Sequence, residues 1–172
     1  HSPKDRAENL MIVDLLRNDL GRVCLPGSIG VETLFDVQSF ATVHHLVSTI
    51  SGELSPALNG FDLLANSFPG GSITGAPKRR AMQIIAELEP HPRQIFCGSL
   101  FFLSAHGVMD SNILIRSLLA ENGEISAWAG GGLVADSVQS EEYSECFHKI
   151  IPLLEQLESL FFCVENCQNF KK

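Results

Sequence analysis

A chain of 172 residues, 45% hydrophobic and 19% charged, has the size of one ordinary domain and enough apolar content for a core, which excludes a disordered segment. Its net charge of −8 argues against nucleic-acid binding or a membrane-surface role. No apolar run reaches the length of a membrane span, and the start, His1-Ser2-Pro3-Lys4-Asp5, does not read as a signal peptide.

The first helix is predicted to open at Ser2-Pro3-Lys4-Asp5. Ser2 caps it, Pro3 takes the first position, and Asp5 completes a box-like pattern. Leu10, Met11, Val13, Leu15 and Leu20 supply apolar contacts, and Gly21 stops the helix. Asp5 and Glu8 are three apart and share a face. Read alone, they are an acidic first turn of the kind a helix N-terminus favours. Residues 29–37 and 43–50 are rich in β-branched and aromatic side chains and are predicted strands. His44 and His45 fall in the second. Adjacent strand residues face opposite ways, so only one of them faces a given site.

A short helix over 61–68 leads into Phe68-Pro69-Gly70-Gly71-Ser72-Ile73-Thr74-Gly75-Ala76-Pro77-Lys78. The glycines permit positive φ and close backbone approach. Pro77 suits the first turn of a helix over 77–88. The loop thus empties into a helix N-terminus, where a small carboxylate would be welcome. Neither P-loop spacing nor G-x-G-x-x-G is present. Beyond a break at Glu89-Pro90-His91-Pro92, strands are predicted over 95–104 and 113–119, separated by a turn at 105–107. Arg116 would lie inside the second, which is costly unless it is paired or snorkels at an edge. Glu121-Asn122-Gly123 reads as a hairpin turn before a strand over 125–129.

Ala129-Gly130-Gly131-Gly132-Leu133 is a second close-approach loop. A long helix over 139–160 follows, with a kink expected at Pro152. Glu142, Glu145 and Lys149 share one of its faces, and alone Glu145 with Lys149 reads as a surface ion pair of little worth. Residues 161–172 show no clear pattern. The cysteines Cys24, Cys97, Cys146, Cys163 and Cys167 are odd in number and lack a C-x-x-C pair. They read as reduced, cytosolic thiols. If the faces of Asp5 with Glu8 and of Glu142 with Glu145 meet, they make an all-oxygen, anionic site suited to Mg²⁺. Without a metal the carboxylates would raise each other's pKa.

The wording of several blocks is specific. The loop at 68–78, Lys-Asp-Arg-Ala-Glu-Asn at 4–9 running on to Arg-Asn-Asp-Leu-Gly-Arg at 17–22, Val-His-His-Leu-Val-Ser at 43–48, Ile-Arg-Ser at 115–117, Ala-Gly-Gly-Gly-Leu-Val-Ala-Asp-Ser at 129–137 and Glu-Tyr-Ser-Glu at 142–145 together resemble the chorismate-utilising enzymes. That family includes the large subunits of anthranilate synthase and aminodeoxychorismate synthase. The resemblance implies an α+β fold of mostly antiparallel sheet layers covered by helices, with residues 1–160 as the C-terminal part of the catalytic domain and 161–172 as a divergent tail. It implies Glu8 and Glu145 as Mg²⁺ ligands, and Asp5 and Glu142 as their supporting carboxylates. His45 matches a histidine near the reacting ring, and Ser72 a hydroxyl near the leaving hydroxyl of chorismate. Arg116 matches an arginine on the enolpyruvyl carboxylate. Gly131 and Gly132 are implied as substrate-binding backbone, and Lys149 as a holder of the metal-bound carboxylate region.

Gly-Gly-Ser-Ile-Thr-Gly-Ala-Pro-Lys, Ala-Glu-Asn and His-His-Leu-Val-Ser-Thr are most similar to the aminodeoxychorismate synthase type. Anthranilate synthases more often have histidine at the position of Asn9. The implied reaction replaces the C4 hydroxyl of chorismate with an amino group, using ammonia from a glutamine amidotransferase partner in the cytoplasm, towards 4-aminobenzoate and folate. The alternatives are an anthranilate synthase piece and a catalytically inactive chorismate- and magnesium-binding module. The chain resembles only the C-terminal part of these longer enzymes. The upstream Pro-Ile-Lys-Gly-Thr pattern, with its nucleophilic lysine, is absent, so the chain alone is expected to be poorly soluble and inactive. Phe101 replaces a usual glycine and Cys146 a usual threonine.

Overall fold

The structure, a computed structural model, describes residues 3–40 and 44–169, with side chains through residue 161. The chain divides into two compact units, His1–Ile113 and Leu114–Lys172. In the first, α1 (Pro3–Leu20) is followed by β1 (Gly30–Ser39), β2 (His44–Ser51), α2 (Gly60–Ser67), a 3-10 turn (Gly71–Ile73), α3 (Lys78–Leu88), β3 (Ser99–Leu103) and β4 (Met109–Ile113). The second holds β5 (Ser117–Glu121), β6 (Glu124–Trp128) and α4 (Gln139–Asn169). Among the described residues the ladders are β1–β2, β3–β4 and β5–β6, each antiparallel. The architecture is α+β, as expected.

The first unit is built on α1. Val13 and Leu15 are buried on it, and Val23 just beyond its end. Gly21 donates its N–H to Arg17 O at 2.9 Å, which closes the helix. The predicted cap, Ser2, lies outside the described residues. The 3-10 turn, α2 and β2 all pack on α1. β1 carries register shifts between Val31 and Thr33 and between Thr33 and Asp36. Extra residues on one strand sharpen its twist, and here Phe35, at φ 60°, turns its N–H onto Ser48 Oγ at 3.1 Å. α2 starts with a complete capping box. Asn59 accepts from the N–H groups of Phe61 and Asp62, and the Asp62 carboxylate accepts from the Asn59 N–H at 2.9 Å.

Several elements depart from the sequence expectation. The strand expected over 95–104 is confined to β3, because the chain turns through 93–98 with Cys97 at φ 65°. Its partner β4 has a polar middle, Asp110-Ser111-Asn112, and carried no strand signal. The strand expected over 113–119 does not form as one piece. It breaks between β4 and β5, and Arg116 sits in that break at φ 50°, exposed. An exposed bend needs no burial of the guanidinium. α4 continues past the expected end at residue 160 to Asn169, since nothing between contains glycine or proline to stop propagation. The Asn122-Gly123 turn forms as predicted, both residues at positive φ. Phe101 meets Phe61 edge-on, ring centroids 6.0 Å apart. Leu100, Phe101 and Phe102 nonetheless remain exposed on β3.

Candidate active site

In the first unit, α1 carries Asp5 and Glu8 near its start and anchors the segments bearing His45 and Ser72. The anchor for β2 is Asn9. Its amide donates to Leu46 O at 3.0 Å and its carbonyl accepts the Ser48 hydroxyl at 2.6 Å. Ser48 therefore faces α1. Strand alternation puts His44 on that side and His45 on the other, so His44, and not the expected His45, shares the face of β2 turned to the helix that carries Asp5 and Glu8. The two imidazoles have different neighbours: His44 Nδ1 lies 3.0 Å from Ser39 Oγ, and the His45 ring meets Phe40 edge-on at 5.5 Å.

The glycine-rich loop is anchored at both ends and in the middle. Lys78 donates to Asp19 Oδ1 at 2.7 Å and to Ser67 O at 3.4 Å, which draws together the two ends of the loop and the last turn of α1. Asp19 is 1% exposed, and its Oδ2 has no hydrogen-bond partner. Gly71 touches Leu15 so closely that a Cβ there would lie 2.7 Å from Leu15 Cβ. Thr74 Oγ1 donates to Gly70 O at 2.9 Å. Gly75 adopts φ 146°, a region open to glycine. Ser72, at the centre of the 3-10 turn, is exposed.

Beyond α3, Glu89 and Arg93 form a two-point ion pair, with N···O distances of 2.8 and 2.6 Å, while Arg93 Nη1 donates to Ile73 O at 2.8 Å. Hydrogen bonding to Arg93 holds the Glu89 carboxyl below its ordinary pKa, and the same bond raises that of Arg93. The sign follows: this clasp is present above the ordinary glutamate range and is lost as pH falls through the lowered Glu89 value. Burial pushes the Cys97 thiol up, with Arg93 partly opposing. These groups border a cavity of about 500 Å³, with Phe68, Met82 and Phe96 as its apolar wall.

In the second unit, Gly131 and Gly132 belong to the loop before α4, and Gly131 lies beside its first turns. A Cβ on Gly131 would come within 3.4 Å of Glu142 Oε2 and 4.0 Å of Lys149 Nζ. Glu142 is 6% exposed and accepts the Ser137 hydroxyl at 2.6 Å, while Ser137 Oγ accepts the Val134 N–H at 3.0 Å. That relay ties the glycine loop to the helix. Lys149 pairs with Glu145 at 2.6 Å and donates to Gly130 O at 3.3 Å. A cavity of about 550 Å³ opens at Gly131, Ser137 and Glu142. Arg116 precedes β5. Sequence reasoning left Asp19, Glu89, Arg93 and Ser137 without roles. Asp19 was visible only as one letter of Arg-Asn-Asp-Leu-Gly-Arg, and Lys78 only as the start of a helix.

Among the described residues no group of three or more His, Cys, Asp or Glu side chains is assembled to hold a metal. Mg²⁺ does not need one, since it commonly takes one or two carboxylates and completes its shell with water and substrate oxygens. Glu145 is half-exposed, and its Oε1 is engaged by Lys149 Nζ at 2.6 Å, an ammonium that an incoming cation would have to displace.

The described residues form an α+β chain with two glycine-rich loops, one packed on α1 and the other tied to α4. Residues 1–155 match the family described as chorismate binding enzyme, and the chain belongs to that family. It is 59% identical over 92% of its length to aminodeoxychorismate synthase component 1 of Klebsiella aerogenes, and equally to that of Escherichia coli, in each case covering 35% of the relative. A solved anthranilate synthase component I from Streptococcus pneumoniae superposes with a TM-score of 0.75 at 39% identity, over 87% of this chain and 34% of that one. The chain thus spans about a third of the length of these relatives.

Proposed function

We propose that this chain carries the magnesium, carboxylate-binding and ring-facing groups of an enzyme that aminates chorismate at C4, giving 4-amino-4-deoxychorismate. The observation that supports this most is the 59% identity over 92% of the chain to proteins named aminodeoxychorismate synthase component 1. Asn9 supports the same choice. Both ends of its amide are used, on Leu46 and Ser48, at a position where anthranilate synthases more often have histidine.

In this reading Glu8 and Glu145 hold Mg²⁺, and Asp5 and Glu142 support them. The ion, when bound, neutralises substrate carboxylate charge. Arg116 holds the enolpyruvyl carboxylate as a charge-assisted donor. Gly131 and Gly132 offer backbone N–H groups from a loop that the Glu142–Ser137 relay keeps in place. Lys149 neutralises Glu145 and the carboxylate region next to it. Ser72 lies near the C4 hydroxyl and His45 near the ring. The nucleophilic lysine and the acid that helps the hydroxyl leave belong to sequence outside these residues. Ammonia comes from a glutamine amidotransferase partner, and the setting is cytoplasmic. No helix among the described residues is long and apolar enough to cross a membrane.

The test is chorismate consumption by the full gene product with ammonia and Mg²⁺, with the product identified. Aminodeoxychorismate is expected. Anthranilate would replace this reading with the runner-up, and binding without turnover would select the inactive module. The 172-residue chain alone is expected to make neither product.

The histidines give a sharper test. His45→Ala is expected to cost about 10²- to 10⁴-fold in kcat, the range for a positioned acid–base group. His44→Ala, on the opposite face and beside Ser39, is expected to stay within a few-fold of the unsubstituted enzyme. An equal or larger loss for His44 would reverse their roles.

A further inference from the structure

We infer that Arg93 is a positioning residue for the glycine-rich loop, and through it for Ser72; the inference rests on the functional reading above. Arg93 reaches back 20 residues to donate Nη1 to Ile73 O at 2.8 Å. Ile73 directly follows Ser72 and ends the 3-10 turn. Inside the loop, Thr74 Oγ1 satisfies Gly70 O, and Leu15 on α1 backs Gly71. Arg93 fixes the exit of the turn from a separate segment.

The guanidinium is itself held in phase. Nε donates to Glu89 Oε2 at 2.8 Å and Nη2 to Glu89 Oε1 at 2.6 Å, leaving Nη1 aimed at the loop. Glu89 is the residue that ends α3, and Pro90 and Pro92 restrict the turn between the partners. The fork geometry is specific to arginine, because an ammonium cannot make a planar two-point contact and a third directed bond together. The Arg93 and Glu89 side chains are 26% and 39% exposed. An ion pair that wet adds little to global stability. Its effect is local, on the orientation of the Ile73–Thr74 peptide and the hydroxyl before it.

The experiment uses the full gene product with Arg93→Ala and Arg93→Lys. Arg93→Ala is expected to lower kcat on the order of 10- to 100-fold, the penalty for a group displaced by about an ångström. KM for chorismate should move by less than about threefold, because carboxylate binding lies elsewhere. Arg93→Lys should not recover kcat. Guanidinium at millimolar concentration should restore part of it in Arg93→Ala, since a cavity of about 500 Å³ opens beside the vacated site. Amide exchange at Thr74 and Gly75 should quicken in Arg93→Ala while the β3–β4 ladder keeps its protection. Unchanged exchange in the loop would overturn the clamp. Faster exchange with unchanged kcat, or full activity in Arg93→Lys, would overturn the positioning role. If the unsubstituted protein turns over no chorismate, the functional reading fails, and loop exchange alone then decides whether Arg93 holds the turn.

Discussion

Glu145→Ala in the full gene product is expected to abolish magnesium-dependent turnover and leave the fold intact. The two halves of that result have separate causes. Glu145 is 45% exposed and pairs with Lys149 one turn along α4. Such pairs contribute about 0.3–0.5 kcal/mol, so the thermal midpoint should barely move. Losing one of two proposed charged ligands removes the site for the cation. The check is kcat across a magnesium titration alongside a melting curve. Turnover within a few-fold of the unsubstituted protein would remove Glu145 from the metal site. Glu142→Ala makes the contrast. Glu142 is buried and holds Ser137 at 2.6 Å, so its loss should loosen the 130–137 loop and lower stability as well as activity.

Asp19→Ala should give the largest loss of stability. Asp19 is 1% exposed, and its partner Lys78 has a side chain 14% exposed. Removing one member of a buried pair strands the other charge, at a cost of roughly 3–5 kcal/mol. Asp19→Leu combined with Lys78→Met should recover most of that, because apolar replacements of similar size escape the desolvation of both ions. Urea unfolding midpoints of the single and double variants decide the matter. A loss below about 1 kcal/mol for Asp19→Ala would mean the pair is wetter than its geometry indicates. The unpartnered Oδ2 of Asp19 shows why the pair is a poor source of net stability. Its contribution is positional, fixing where the glycine loop meets α1.

Much of this architecture was legible in the residues. The Asn-Gly turn, the glycine loops, α1 ending at glycine, and the acidic and lysine face of α4 all follow from local chemistry, and local chemistry is what a sequence displays. The breaks were not legible. Nothing in Ile113-Leu114-Ile115-Arg116-Ser117 announces a bend, because apolar β-formers hide a positive φ at Arg116. β4 was invisible because its middle, Asp110-Ser111-Asn112, is polar and its strand state comes from pairing with β3. Asp19, Lys78, Glu89 and Arg93 could not be assigned, since their roles arise from partners far apart in sequence or across a proline-containing turn that hides the i,i+4 relation. The proposed site residues came from the resemblance of whole blocks. Periodicity alone left Glu145 with Lys149 as an ordinary surface pair.

The contacts that mount the site on α1 also bear on how the chain reaches this state. Asn9 meets Leu46 across 37 positions, and Asp19 meets Lys78 across 59. Closing a chain over such spans costs entropy before any contact is gained, and long-range contacts of this kind slow folding. α1 and the Asn-Gly hairpin can form early from local interactions. The glycine-rich loop has its short internal turn, but its placement on α1 waits for long-range contacts, Lys78 with Asp19 among them. The loop is therefore among the last parts of the first unit to become ordered, and substitutions at Asp19 or Lys78 should speed unfolding more than they slow folding.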